Sequence, residues 1–243
     1  MTRERLNKMQ RVLDTRQTDL RLFLEEVHKP HNLSAIVRTC DAVGVHHLHA
    51  VLAKGQYRCH PNYAAGSHRW VNVHVHEEVL PALEQLKREG HRLMAAHLSE
   101  QAVDFRQVDY TEPCVIIMGT EKLGISEEVA EIADEHIVVP MLGLGQSLNV
   151  SVATAVILYE AQRQRWEKGC YERGTTIDPE TYRTTLFEWM QPKLTRYCKQ
   201  KGIPYPNIDE DGDVVDHELT QAAREAKSVE EKPDETDHTN LGS

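Results

Sequence analysis

Two short runs of the sequence are apolar on both faces of any strand that they could form. Residues 114–118 have the sequence CVIIM, and residues 137–139 have the sequence IVV. Strands of this kind belong to the interior of parallel sheets, where helices cover both faces. Further apolar runs alternate with segments of helical periodicity along the chain. The sequence therefore predicts an α/β fold with a mainly parallel sheet flanked by helices.

Capping residues and hydrophobic spacing set the boundaries of these elements. Asn32 is predicted to cap a helix that ends at Gly44, where a glycine typically follows a helix. Ser147 is predicted to cap a long helix over residues 148–165, and Ser126 a short one. The first half of the long helix is apolar or small nearly all round, which indicates burial on most sides. The other strands are predicted at residues 20–27, 47–52, 71–75 and 92–96. The other helices are predicted at residues 2–14 and 77–88, with one or two more over residues 178–201.

The chain has 243 residues, of which 40% are hydrophobic and 27% are charged. This size suits one α/β domain of about 150 to 200 residues with extensions. The five cysteines form no CxxC pair, which predicts reduced thiols in a cytoplasmic protein. We expect no metal site, and we interpret the histidines clustered at residues 46–49 and 74–76 as surface and strand-end residues. We also expect neither a signal peptide nor a membrane span.

The net charge of −10 is concentrated near the C-terminus. Residues 207–243 hold twelve acidic and three basic residues, and their low hydrophobicity predicts a disordered tail. Residues 1–21 and 161–201 are locally basic, as contact with phosphates would require. The alternative is that these bases lie on solvated helix faces without any nucleic-acid partner.

Residues 28–39, HKPHNLSAIVRT, form the first of three polar segments that follow predicted strands. Asn32 and Arg38 are six residues apart, or about 9 Å along a helix axis. An arginine side chain points back toward the helix N-terminus, so both groups can reach one site. The alternative is a capping asparagine and an arginine in a surface salt bridge.

The second and third segments are rich in glycine. Residues 118–126, MGTEKLGIS, place Glu121 between two glycines that permit close approach of a ligand. Residues 140–155, PMLGLGQSLNVSVATA, place a glycine-rich loop before the long helix, whose first N–H groups could face a polar ligand. Leu148 stands where a dinucleotide-binding fingerprint needs its third glycine, which argues against a NAD site. Open α/β sheets bind ligands at such strand ends.

The ordered triplet of segments resembles the TrmH-like branch of the SPOUT methyltransferases. The resemblance extends from the N-terminus to about residue 206. It implies a deep trefoil knot in the C-terminal part of the α/β domain and a homodimer whose active sites include residues from both subunits. It also implies methyl transfer from S-adenosylmethionine (SAM) to the ribose 2′-hydroxyl of a tRNA guanosine, at D-loop position 18. The alternatives are a ribosomal RNA 2′-O-methyltransferase and a non-catalytic SAM- or RNA-binding protein.

The resemblance also assigns roles to individual residues. Arg38 matches the arginine that activates the ribose hydroxyl, either as the base or as a charge that stabilises the alkoxide. No metal is required, because the sulfonium of SAM is already electrophilic. The further catalytic positions are Asn32, Glu121, Ser147 and Asn149. The cofactor-binding positions are Ala96, Gly119, Val139, Met141 and Leu148. The positions predicted to contact RNA phosphates are Arg11, Arg16, Arg163, Arg165, Lys168, Lys199 and Lys201.

The same resemblance divides the chain into four parts. An N-terminal basic helix over residues 1–18 precedes the catalytic domain with its SAM-binding knot over residues 19–166. A helical RNA-binding extension over residues 167–206 follows, and the acidic tail occupies residues 207–243. The cytoplasm is the expected location.

Overall fold

The computed structural model describes residues 2–52, 69–120, 123–172, 177–209 and 212–215. The chain divides into two compact units: one is Val12–Asp178, and the other combines Met1–Arg11 with Pro179–Ser243. Within the described ranges, every helix is too short or too polar to cross a lipid bilayer. The helices are α1 (Arg3–Asp14), α2 (Pro30–Val43), α3 (Val79–Arg88), α4 (Glu127–Ile132), α5 (Val150–Glu167), α6 (Pro179–Met190) and α7 (Pro192–Lys201).

A parallel sheet forms the centre of the larger unit. Its strands are β1 (Gln17–Glu25), β2 (Val45–Val51), β3 (Asn72–His76), β4 (Arg92–Ala96), β5 (Val103–Asp104), β6 (Cys114–Met118) and β7 (Glu135–Val138). Their order is β3-β2-β1-β6-β4-β7-β5, and the pairings between neighbours are parallel. The prediction of a mainly parallel α/β sheet flanked by helices is confirmed, whereas the predicted knot stays a prediction.

The two faces of the sheet bury separate hydrophobic cores. On one face, Ile116 packs with residues of α2 and α5, among them Ile36 and Leu158. On the other face, Val115 and Ile117 pack with residues of α3 and α4. Successive residues of a strand point to opposite faces, so a central strand covered on both sides must be apolar throughout. All five residues of β6 are buried, as the sequence predicted.

Two helices begin at residues other than the predicted caps. The N-cap of α2 is Lys29, because Pro30 supplies the fixed φ that suits the first helical position. Asn32 therefore lies in the first turn instead of capping it. The N-cap of α5 is Asn149, whose side chain accepts a hydrogen bond from the Ser151 N–H, so the prediction of Ser147 as the cap was wrong. The predicted helix end at Gly44 is confirmed by its left-handed φ of 86°.

Four imidazoles from β2 and β3 interact on one face of the sheet. The nitrogens His47 Nδ1 and His74 Nε2 are 3.0 Å apart, as are His49 Nδ1 and His76 Nε2. The rings of His49 and His74 stack with centroids 4.7 Å apart. His49 is 6% exposed, and His46, on the opposite face, is 0% exposed. The interpretation of the cluster as surface residues was therefore wrong for these two, because β2 is an interior strand.

This cluster predicts a loss of stability in acid. Burial, together with neighbouring positive charge, lowers the pKa of His49 to about 3. In the unfolded chain an imidazole binds its proton below about pH 6.5. Below this pH the unfolded state therefore binds more protons than the folded state, in which His49 stays neutral. Stability should fall between pH 6.5 and about 3, by about 2 kcal/mol at pH 5 for each imidazole that stays neutral. Urea unfolding at pH 7.5 and pH 5.0 should show a smaller pH effect in His49→Gln, and equal pH effects in both proteins would contradict this account.

The smaller unit has its own apolar core. Phe187 of α6 packs with Leu194 and Cys198 of α7 and with Val214. The ring of Tyr205 stacks on Phe187 with centroids 4.7 Å apart, and its hydroxyl donates to Glu188 Oε1 at 2.7 Å. Packing in this unit thus continues past residue 207, where the acidic tail was predicted to begin.

Candidate active site

Four neighbouring strands in the middle of the sheet, β1, β6, β4 and β7, have their carboxyl ends on the same side of the sheet, here called its carboxyl edge. The register aligns Leu24 of β1 with Met118 of β6, and Ala96 of β4 with Ile137 of β7. Because the strands are parallel, their carboxyl ends all lie at this edge. The first segment follows β1, the second follows β6 and the third follows β7. The sheet therefore brings the three predicted segments side by side, where α/β folds typically bind ligands.

A side-chain hydrogen bond joins the first segment to the third. Asn149 Nδ2 donates to Asn32 Oδ1 at 3.2 Å. The orientation of the Asn149 amide follows from its oxygen, which accepts from the Ser151 N–H at 2.9 Å and from the Ser151 hydroxyl at 2.6 Å. Asn32 is 2% exposed, whereas Asn149 is exposed, so the contact is partly buried. Two of the predicted catalytic residues, 117 positions apart, are therefore in direct contact.

The other predicted catalytic residues surround this contact to different degrees. Arg38 lies on α2, six residues after Asn32, and its side chain is exposed. Ser147 is exposed in the segment that leads to Asn149. Glu121 lies outside the described residues. The roles of Arg38, Ser147 and Glu121 stay predictions.

The loop after β6 closes on itself at Gly119. Thr120 and Gly124 exchange two backbone hydrogen bonds, of 2.8 and 3.0 Å. A Cβ atom at Gly119 would lie 2.0 Å from the Gly124 carbonyl oxygen and 2.4 Å from the Ile125 nitrogen. This crossing leaves room only for a hydrogen, and it explains why the second segment has glycine at this position.

Replacing Gly119 with alanine should therefore move the loop. The methyl group would collide with backbone atoms, which cannot rotate away as a flexible side chain can. We expect a loss of about 1 to 3 kcal/mol in unfolding free energy, as for other overpacked sites, with weakened binding of SAM. Urea unfolding and calorimetry would measure the two effects. Gly143→Ala is the matched control for the unfolding measurement, because nothing lies within 4 Å of a Cβ there, and equal losses of unfolding free energy in both variants would contradict the steric explanation.

The predicted cofactor-binding residues lie along the same edge. Ala96 and Val139 are partly buried against the core, and Leu148 is also partly buried. Met141 is 37% exposed. The loop between Met141 and Leu148 also carries Leu142 and Leu144, which are fully exposed and which the sequence analysis did not single out. Apolar side chains at strand ends suit an adenosyl group, so these residues fit SAM. Their contacts with it stay predictions.

A buried carboxylate at this edge was also missed. Glu25 is the last residue of β1 and is 7% exposed. Its Oε2 accepts a hydrogen bond from the Ser126 N–H at 3.0 Å. The sequence gives two successive glutamates at a strand end, which is typical of a solvated corner. Only the pairing of β1 with β6 reveals that one of them faces the second segment.

The predicted RNA-binding residues divide by exposure. Arg16 is 1% exposed and bonded to Asp41, and Arg165 is 0% exposed and bonded to Asp19. The prediction that these two contact phosphates was wrong, because the fold buries both guanidinium groups in ion pairs. Arg163 is exposed but paired with Glu160 and Glu167, and Lys199 is paired with Glu188. The remaining members of the set are exposed: Arg11, Lys168 and Lys201.

Comparison with known proteins identifies the family. Residues 19–159 match the model of the SpoU rRNA methylase family, and residues 163–217 match the model of the C-terminal region of SpoU rRNA methylases. The chain belongs to the SpoU methylase family. The matched residues include all three segments and both asparagines of the Asn32–Asn149 contact.

Relatives support this assignment at high identity. The chain is 50% identical over 204 residues to the tRNA (guanosine(18)-2′-O)-methyltransferase of Escherichia coli K12, covering 84% of this chain and 89% of the relative. The crystal structure of the Aquifex aeolicus TrmH/SpoU tRNA modifying enzyme matches with a TM-score of 0.73 and 46% identity, covering 76% of this chain and 94% of that one. The AdoMet-bound rRNA methyltransferase of Sinorhizobium meliloti matches with a TM-score of 0.55 and 28% identity, covering 63% and 59% of the two chains.

Proposed function

We propose that this protein transfers a methyl group from SAM to the ribose 2′-hydroxyl of a tRNA guanosine, at position 18 in the D-loop. The observation that carries the proposal is the bond between Asn149 and Asn32, which joins two segments of the family at the edge where parallel sheets bind ligands. The relative from Escherichia coli, which carries this activity in its name, is half identical to this chain.

Arg38 is the proposed residue that acts on the ribose hydroxyl. It either accepts the hydroxyl proton in a dry site or stays charged and stabilises the developing alkoxide. The bond between Asn32 and Asn149 fixes the start of α2 against the start of α5. It thereby fixes the helix that carries Arg38. Ser147 and Glu121 complete the proposed set of catalytic residues. When bound, SAM supplies the methyl group, and the residues proposed to hold it are Ala96, Gly119, Val139, Met141 and Leu148.

We propose that a second copy of the chain completes the site. The apolar side chains of Val152, Val156 and Tyr159 recur at helical spacing on α5 and are 48%, 36% and 52% exposed. An exposed apolar stripe of this kind is typical of an interface between subunits. Two cavities of about 550 and 460 Å³ lie elsewhere on the chain, and neither is lined by a predicted site residue. An open edge in one subunit suits a site that its partner closes.

The phosphate contacts are proposed for the exposed bases of the predicted set. Arg11, Lys168 and Lys201 are the first candidates, followed by Arg163 and Lys199 in their surface ion pairs. Such contacts weaken steeply with salt, since phosphate binding releases counterions. The four-part division at residues 18, 166 and 206 and the cytoplasmic location belong to the same proposal.

The test is a methylation assay with labelled SAM on total tRNA and on ribosomal RNA, each lacking ribose methylation. We expect label in tRNA, and mapping should place it on the guanosine at D-loop position 18. Label in ribosomal RNA alone would support the second candidate, which the name of the Sinorhizobium meliloti neighbour favours. Binding of SAM without transfer to either RNA would indicate a non-catalytic protein.

A further inference from the structure

Glu25, at the end of β1, forms a hydrogen bond with the end of the loop that follows β6. The start of the loop is fixed by the strand ladder, in which Met118 is aligned with Leu24. The other end of the loop is fixed by the bond from the Ser126 N–H to Glu25 Oε2. Glu25 directly follows Leu24. Two adjacent residues of β1 therefore contact the two ends of the loop, Met118 at its start and Ser126 at its end. This loop contains Gly119, where the chain crosses itself.

Burial of the Glu25 carboxyl group costs free energy, which its hydrogen bond to Ser126 must offset. A carboxyl group with 7% exposure loses much of its hydration and needs hydrogen-bond partners in return. The Ser126 N–H supplies one, and hydrogen bonds to a charged acceptor are about twice as strong as neutral ones. Glu26 then takes a left-handed φ of 55° and donates its N–H to the Val51 carbonyl. This bend directs the chain from Glu25 toward α2.

We propose that Glu25 is a positioning residue for SAM binding, acting through the Ser126 N–H on Gly124, Ile125 and Gly119, which lie in contact where the chain crosses itself. The inference rests on the proposed function, because Gly119 is among the residues proposed to hold the cofactor. In this proposal Glu25 acts through these residues and not through contact with substrate or reacting atoms. Its effect is to hold the crossing at Gly119 in place before the cofactor arrives, so that binding does not have to fix these residues.

Substitutions at Glu25 in the full-length chain test the proposal. Glu25→Ala should raise the calorimetric Kd for SAM and the KM for SAM by about tenfold or more. The kcat at saturating SAM should stay within about threefold, since bound cofactor reorders the loop. Glu25→Gln keeps an acceptor of the same shape and should recover most of the affinity. A merely structural role would lower kcat through the active fraction and leave KM unchanged.

Two substitutions at Ser126 test the same bond from its other end. The φ of Ser126 is −68°, which proline can adopt, so Ser126→Pro removes the N–H donor and keeps this φ. Ser126→Ala is the matched control, because both variants lose the hydroxyl that caps α4, but only proline loses the N–H. Ser126→Pro should reproduce the effect of Glu25→Ala, and the double variant should show no further loss.

Asp19 provides a second control on the same strand. It lies at the opposite end of β1 and pairs with Arg165, so Asp19→Asn should lower stability and leave the SAM Kd unchanged. Wild-type SAM affinity in both Glu25→Ala and Ser126→Pro would overturn the inference. Additive losses in the double variant would also overturn it, since the two residues would then act separately. Failure of the wild-type chain to bind SAM would instead overturn the proposed function.

Discussion

Arg38→Ala should lower the rate of methyl transfer by about 10² to 10⁴, the range attributed to a general base or to an oxyanion-stabilising group. SAM binding should survive, because the residues proposed to hold the cofactor lie at the end of β4 or after β6 and β7, whereas Arg38 lies on the helix after β1. Single-turnover rates with D-loop tRNA and calorimetry with SAM would measure the two properties separately. Arg88→Ala is a suitable control, since Arg88 is an exposed helical arginine on α3.

Arg38→Lys distinguishes the two possible roles of the guanidinium. A lysine keeps the positive charge, so it should restore part of the rate if Arg38 stabilises the alkoxide. If Arg38 is the base, the lysine variant should show a shifted pH–rate profile, because its pKa differs from that of arginine. Loss of SAM binding in Arg38→Ala would contradict either role, since the residue would then act on the cofactor pocket.

The sheet and the placement of the three segments could be predicted from the sequence, because each depends on local chemistry. The run from Cys114 to Met118 is apolar at every position, which is the pattern of a strand covered on both faces. Parallel strands then place their following loops at a common edge, which is why Asn32 and Asn149 meet. Their contact follows from topology, although 117 positions separate them along the chain.

The errors concern choices that local sequence leaves open. Ser147 and Asn149 are both good capping residues, and Asn149 is the cap that also reaches Asn32. The burial of His49 and Glu25 depends on which strand lies beside β2 and β1, and that order is not encoded in their neighbours. The sequence of a helical segment predicts that a basic residue such as Arg165 is solvent-exposed. Its ion-pair partner, Asp19, lies 146 positions away and is not evident from the local sequence.

Arg165→Ala should lower the unfolding free energy by about 3 to 5 kcal/mol, the cost of breaking a buried ion pair. The guanidinium donates to Asp19 Oδ1 at 2.6 Å, to Gln17 Oε1 at 2.9 Å and to the carbonyl oxygens of Tyr110 and Glu112 at 2.7 and 3.1 Å. Alanine would leave these acceptors without their donor and open a cavity at the centre of the contact. Urea unfolding of the full-length chain would measure the loss.

Lys168→Ala is the matched control for this substitution, since Lys168 is exposed three residues further along the chain. It should change stability by less than about 0.5 kcal/mol and should weaken tRNA binding at low salt, because a phosphate contact is lost. Arg165→Met, which fills the space without the charge, should recover part of the stability lost in alanine. An Arg165→Ala protein of wild-type stability that binds tRNA weakly would show that the arginine leaves its ion pair to reach RNA, contrary to the burial described above.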